Sequence, residues 1–281
     1  MAAVTTTEGG RLTPLPAPSG RAGLTGTLGS EFTKIRSVRS TYWTLLVLLV
    51  VSVGIGAAIT GGVAAHWSQT NAGDRATFDA TATSLAGLTF LGELVTVVLG
   101  ALTITSEYST GMMRTSLTVM PRRGVIYSAK AAVIAAVILV TAVIAAFAAF
   151  WLGQALLTST QHSATLSQPN VLRAVIGAAL YITVCGLLAY GIGSMIRHTA
   201  GAITIMVALL FVIPILTNLL PSNWHDDMVR WLPSSAGDAI TGTVSGAHPH
   251  MFSPWGEFAV LGAYTVVALI AGVVLFRKRD A

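Results

Sequence analysis

Glu93 is the one ionisable residue that lies deep inside a long apolar segment of this sequence, residues 84–106. A carboxylate in hydrocarbon is costly, and such residues often contact substrates or relay protons. Glu93 lies beside a helical stripe of small and polar residues that includes Thr96 and Gly100, and such stripes pack against another helix or border a watery path. Two interpretations follow: a substrate-path or gate residue, or a hydrogen-bonded structural glutamate at a helix interface.

A second chemically distinctive stretch, residues 106–130, separates two apolar segments. Its charged residues are one acid and four bases: Glu107, Arg114, Arg122, Arg123 and Lys130. Each Arg or Lys in the bilayer centre costs roughly 2.5–3.5 kcal/mol on insertion scales, so this stretch must protrude from the membrane. Its positive excess places the protrusion on the cytoplasmic side.

Motifs for other kinds of chemistry are missing from the sequence. It contains no Gly-x4-Gly-Lys-Ser/Thr loop for nucleotide phosphates, no His-Glu-x-x-His and no Gly-x-Ser-x-Gly. His248 and His250 form a short pair that we interpret as part of an ordinary polar loop, since zinc needs more ligands. The sequence therefore predicts no catalytic residue, no metal site and no cofactor in this chain.

The composition shows which elements must position these residues. The chain has 281 residues, of which 53% are hydrophobic and 10% are charged, whereas soluble domains carry about 25% charged residues. It is therefore predicted to be an integral membrane protein. The net charge of +5 is interpreted as a membrane-topology signal and not as a nucleic-acid surface, so the lipid bilayer is the expected partner of this charge.

Six segments are long and apolar enough to cross a bilayer, which predicts an all-α membrane protein with six transmembrane helices. The predicted spans are residues 41–61, 84–106, 131–157, 171–196, 200–220 and 257–276. Residues 1–30 are predicted to form a disordered cytoplasmic tail, and residues 31–281 the six-helix domain. Residues 31–40 fit either an amphipathic helix on the inner leaflet or a simple basic flank of the first span.

The basic residues also predict the orientation. Six spans place both termini on one side, and that side carries 13 of the 16 Lys and Arg residues. The positive-inside rule therefore places both termini and residues 106–130 in the cytoplasm of a multi-pass cell-membrane protein.

The stretch after the second predicted span resembles a known family. Its residues are Glu107-Tyr108-Ser109-Thr110-Gly111-Met112-Met113-Arg114, then Leu117, Pro121-Arg122-Arg123 and Lys130. This pattern is similar to the ABC-2 type permease subunits of bacterial ABC transporters. The entry Glu31-Phe32-x-Lys34-x-Arg36, the turn Arg197-His198-Thr199-Ala200 and the segment Leu232-Pro233 are also similar to that family.

The resemblance implies a permease subunit of an exporter that is not itself an enzyme. Two separate ATPase subunits would bind ATP and Mg²⁺, and a second permease copy or a paralogue would complete the complex. It also implies a cytoplasmic coupling helix between the second and third spans, with Glu107, Tyr108, Gly111, Arg114, Pro121, Arg122, Arg123 and Lys130 in the coupling segment. The substrate is not indicated.

Two other functions fit the residues alone. One is a proton-coupled secondary transporter that uses Glu93 as its proton site. The other is a membrane sensor or scaffold that transports nothing and uses the basic protrusion as a docking site.

Overall fold

The computed structural model describes residues 4–6, 12–14, 24–112, 123–160, 162–244 and 252–278. In these residues the only strands are a short antiparallel pair, Val4–Thr6 and Leu12–Pro14. The rest is helical or connecting chain, which confirms the all-α class.

Six of the described helices are long and apolar enough to cross a membrane, as predicted. In chain order, the first to sixth spans are Arg39–Ala65, Ala80–Ser109, Arg123–Leu157, Val171–Ile196, Thr199–Thr217 and Pro254–Lys278. The third span has 35 residues, which at 1.5 Å per residue is about 52 Å, against a hydrocarbon core of about 30 Å. It begins at Arg123, eight residues before the predicted start, so its first two turns extend beyond the apolar segment.

Shorter helices precede the first span or connect the spans. They are the N-terminal helix Leu24–Ser37, the 3-10 turns Trp67–Gln69 and Thr158–Thr160, and the helices Ala72–Ala76, Ser222–Val229 and Ser235–Thr241. Together we call the last two the loop helices.

The N-terminal helix differs in extent from the predicted residues 31–40. It begins at Leu24, inside the stretch predicted as a tail, and Val38 in extended conformation separates it from the first span. In this helix the side chains of Thr27 and Glu31 are buried, whereas Phe32 and the following Val38 are about half exposed. The three-residue spacing of the apolar residues Phe32, Ile35 and Val38 therefore does not identify the packed face of the helix. A position of this helix on the membrane surface stays a prediction.

The fourth span lies at the centre of the bundle. In its most apolar stretch, 67% of the residues are buried, against 17% in the fifth span. Small residues bring its neighbours close: Gly100 of the second span packs on Gly186, and Ala268 of the sixth span packs on Gly191. In lipid the hydrophobic effect does not drive helices together, and close packing through small residues stabilises their association instead.

Two spans contain a π-helical segment. In the second span it is Leu88–Gly92, between the α-helical parts Ala80–Gly87 and Glu93–Ser109. In the fifth it is Ala208–Val212, between Thr199–Val207 and Ile213–Thr217. The π segment of the fifth span ends two residues before Pro214, and local π-helical adjustment is one way in which a membrane helix accommodates proline.

The two ends of the bundle differ. At one end, the terminal end, the N-terminal helix, the start of the third span and the end of the sixth span are in contact: the Arg123 guanidinium donates to the carbonyl oxygens of Phe276 (3.5 Å) and Arg277 (3.4 Å). At the other, the loop end, lie the described parts of the connections after the first, third and fifth spans, including the loop helices; these are residues 66–79, 158–160, 162–170, 218–244 and 252–253.

Candidate functional site

Four charged side chains form a cluster at the terminal end, which we call the ion cluster. The Lys130 ammonium donates to Glu31 Oε2 at 2.5 Å and to Glu107 Oε1 at 2.7 Å. The Lys34 ammonium donates to Glu31 Oε1 at 2.7 Å and lies 3.6 Å from Glu107 Oε1. The cluster therefore connects the N-terminal helix, the end of the second span and the start of the third.

Burial makes this cluster important for the packing of the terminal end. Lys130, Glu31 and Glu107 are 3%, 2% and 7% exposed. Ions removed from water cost several kcal/mol each, and this cost is offset only when opposite charges and hydrogen bonds are well placed. With two acids and two bases the cluster has no net charge, so each buried carboxylate keeps a cationic partner.

The pKa values of Glu31 and Lys34, both in the N-terminal helix, reflect this pairing. Burial alone would raise the pKa of Glu31, but the charge and hydrogen bond of Lys130, together with those of Lys34, outweigh burial and lower the pKa below the ordinary 4.5. Burial alone would lower the pKa of Lys34, but the hydrogen bond to Glu31 and the charge of Glu107 raise it above 10.5.

We expect acid to weaken the attachment of the N-terminal helix. Because the pKa of Glu31 is lower in the folded chain, its contribution to stability is fully present above pH 4.5 and is lost as the pH falls through the folded value. The thermal unfolding midpoint in detergent should fall between pH 4.5 and pH 3 by more in the wild type than in Glu31→Gln. Equal pH dependence of the two proteins would contradict the pairing.

The described residues of the predicted coupling segment make different contacts. Glu107 and Lys130 meet in the ion cluster, and Arg123 is held by the end of the sixth span. Tyr108 lies under the Arg197 guanidinium, 4.7 Å from the ring centroid, which is a cation–π distance. Arg114, Pro121 and Arg122 lie outside the described residues.

Gly111 ends the second span in a way that explains its residue type. Its φ of +70° is in the left-handed region, which glycine adopts without strain and which commonly terminates helices. The second span, whose α-helical part ends at Ser109, therefore stops just after Glu107 and Tyr108, and these two side chains are fixed at the point where the chain leaves the helix.

The ion cluster was only partly visible in the sequence. Glu107 and Lys130 belong to the family-like pattern, but Glu31 lies 99 residues from Lys130 and was not predicted as a site residue. The available signal was that Glu31, like Glu107, is an acid within a basic segment, where it requires a partner.

The predicted substrate-path residues occupy two different environments. The Glu93 carboxylate is 3% exposed and accepts hydrogen bonds at Oε1 from the Tyr181 hydroxyl (2.9 Å) and the Cys185 thiol (3.8 Å). It lines a cavity of about 430 Å³ that reaches the loop end, which we call the loop-end cavity. Thr96 and Gly100 instead pack against Gly186 of the fourth span and are absent from the lining of this cavity.

The described residues contain no group of three or more His, Cys, Asp or Glu side chains placed to hold a metal ion. The chemistry that the described arrangement offers is electrostatic: a neutralised ion cluster at the terminal end, and a buried carboxylate at a cavity at the loop end.

Comparison with known proteins identifies the family. The sequence model of the ABC-2 family transporter protein matches residues 28–281, a range that contains all six spans and most of the N-terminal helix. No curated protein matches the chain. Since the match covers far more than half of the chain, the protein belongs to the ABC-2 transporter family and is a membrane-spanning component of an ABC transporter.

Proposed function

We propose that this chain is the permease subunit of an exporter, driven by ATP that two separate ATPase subunits hydrolyse, and that it pairs with a second copy or a paralogue. Membership of the ABC-2 family implies association with ABC ATPase subunits in general. The export direction, the number of subunits and the location in the cell membrane are parts of the proposal.

The orientation is proposed from charge. Of the 16 Lys and Arg residues, only Arg75, Arg173 and Arg230 belong to the loop end. By sequence position, the other 13 belong to the N-terminal and C-terminal segments, to residues 106–130 and to the turn after the fourth span. The positive-inside rule favours a cytoplasmic terminal end with both chain termini. The loop-end cavity would then face the outside, where a released substrate leaves.

The ion cluster is the observation that supports coupling through the terminal end. Lys130 lies two turns into the extended third span, and its contacts with Glu107 and Glu31 join the two helices that flank residues 110–122 to the N-terminal helix. A push on residues 110–122 would therefore move three elements together instead of bending one loop. A neutral, buried cluster can transmit such a push because separating its charges is costly.

Docking of the ATPase can be tested by charge reversal. We expect the double variant Arg114→Glu/Arg122→Glu to reduce co-purification of a P-loop ATPase from native membranes at least tenfold, because like charges at an interface cost several kcal/mol. Quantitative mass spectrometry of the affinity-purified complex measures the effect. Arg123 is left unchanged, since its side chain also holds the sixth span.

Arg230→Glu provides the matched control. Arg230 lies at the loop end in an ion pair with Asp227, whose side chain is 77% exposed, and such pairs contribute little to stability. This variant should retain the full amount of ATPase. Full retention in the double variant would contradict docking at this segment, and ATP-independent flux that follows a pH gradient and is lost in Glu93→Gln would indicate a secondary transporter instead.

A further inference from the structure

The loop-end cavity has the dimensions of a small-molecule site. It lies between the second, fourth and fifth spans and the loop helices, and its volume of about 430 Å³ falls within the range of about 300–1,000 Å³ typical of ligand pockets. Buried Glu93 lines its inner part, whereas Asn218 and Asp238 at its rim are exposed.

The charges on the cavity wall have one sign. Its lining includes the carboxylates of Glu93 and Asp238, and no Lys or Arg among the described lining residues. Glu93 takes part in none of the ion pairs between described residues. His225 also lines the cavity, with its Nδ1 atom 3.0 Å from the Thr217 carbonyl oxygen.

Among the described residues, the hydrogen-bond partners of Glu93 include no cation. Tyr181 and Cys185 are neutral donors, and both contact Oε1. The ion cluster at the terminal end shows the contrast, since each of its carboxylates has a lysine partner. A buried carboxylate without a cation gains most from a ligand that supplies one.

The aromatic side chains that line the cavity would also favour a ligand that carries a positive charge. Phe90 and Phe211 lie in the two π-helical segments, and their rings meet edge to face with centroids 5.6 Å apart. Both line the cavity. Aromatic faces attract organic cations and also pack against apolar groups, and π segments are frequent at functional sites.

We propose that the loop-end cavity binds an amphipathic organic cation, in which a positively charged nitrogen pairs with Glu93 and Asp238 and an apolar or aromatic body packs on Phe90 and Phe211. The proposal deepens the proposed function, since it rests on the chain being a transporter and names the substrate class. Thr96 and Gly100 hold the helices together beneath this site and do not contact the ligand.

Binding to the purified full-length chain in lipid nanodiscs tests this proposal without any ATPase. Ethidium, a flat aromatic cation whose fluorescence rises in apolar surroundings, is the probe, and empty nanodiscs provide the background. We expect saturable binding that non-fluorescent tetraphenylphosphonium displaces and that the anion 8-anilinonaphthalene-1-sulfonate does not. Glu93→Gln should weaken ethidium binding at least tenfold, and Asp238→Asn about threefold.

Glu257→Gln is the matched control. Glu257 is also a buried carboxylate of a span near the loop end, where it accepts the Phe252 N–H at 2.8 Å, but it does not line the cavity. The Glu257→Gln variant should bind ethidium with the affinity of the wild type. Asp238→Asn changes an exposed side chain, so it keeps the test valid if Glu93→Gln fails to fold.

The failures of the two proposals are distinguishable. Absence of saturable ethidium binding, equal binding by Glu93→Gln and wild type, or equal displacement by the anion would overturn the cation site. None of these results depends on an ATPase, whereas a wild-type chain that co-purifies with no P-loop ATPase would contradict the proposed function and leave the binding measurement unchanged.

Discussion

Lys130→Met is expected to lower the free energy of unfolding by about 3–5 kcal/mol, the usual cost of removing one partner of a buried ion pair. Lys130 is 3% exposed and contacts both Glu31 and Glu107. Methionine fills similar space, so the lost charge dominates the effect. Lys34 alone cannot neutralise two carboxylates, and one of them must be protonated or move into water.

The unfolding midpoint of the variant in detergent measures this effect, with two further variants as controls. Lys34→Met should cost less than about 1 kcal/mol, because its side chain is one-third exposed and such pairs contribute little. Adding Glu107→Gln to Lys130→Met should restore part of the loss, since the second variant removes the carboxylate that has lost its partner. An unchanged midpoint in Lys130→Met would show that the cluster does not hold these helices together.

The spans were predictable because a bilayer imposes a simple rule on length and apolarity. The ends of the spans were not predictable, because this rule applies only to the part of a helix that lies in the hydrocarbon core. The third span illustrates this: residues 123–130 are polar enough to leave the membrane, yet they continue the helix. For the same reason the sequence did not predict the ion pairs of Lys130, whose partners Glu31 and Glu107 belong to two other helices.

Periodicity along the second span was also only partly informative. A regular helix predicts that Gly92, Thr96 and Gly100 share one surface. In the structure, Gly92 faces Ser52 and Leu48 of the first span, whereas Gly100 faces the fourth span. At 3.6 residues per turn, the eight residues from Gly92 to Gly100 leave these two positions about 80° apart around the helix, which is enough for them to face different neighbours. Only the folded structure therefore shows that Glu93, which lies beside this stripe, lines a cavity.

Gly100→Ala is expected to lower the free energy of unfolding by about 1–3 kcal/mol, the usual cost of overpacking a core. An added Cβ would contact the backbone carbonyl oxygen of Gly186 closer than atoms can approach. A backbone atom cannot rotate away, so the second and fourth spans must separate along their contact. The same methyl at Gly186 would meet the side chains of Ile138 and Thr96 and no backbone atom as closely. The end of the Ile138 side chain can shift, so Gly186→Ala should cost less than Gly100→Ala.

Gly54→Ala in the first span is the matched control, and we expect it to change the free energy of unfolding in the opposite direction. No atom lies within 4 Å of a Cβ built there, so only helix propensity changes, and alanine should stabilise the helix by about 0.5–1 kcal/mol. Unfolding midpoints of the three alanine variants compare these effects directly. If Gly100 were a substrate-path residue in open space, Gly100→Ala would behave like Gly54→Ala in stability and change transport alone. A lowered midpoint with unchanged ethidium affinity in the folded fraction would assign Gly100 to helix packing and leave Glu93 as the residue that meets the ligand.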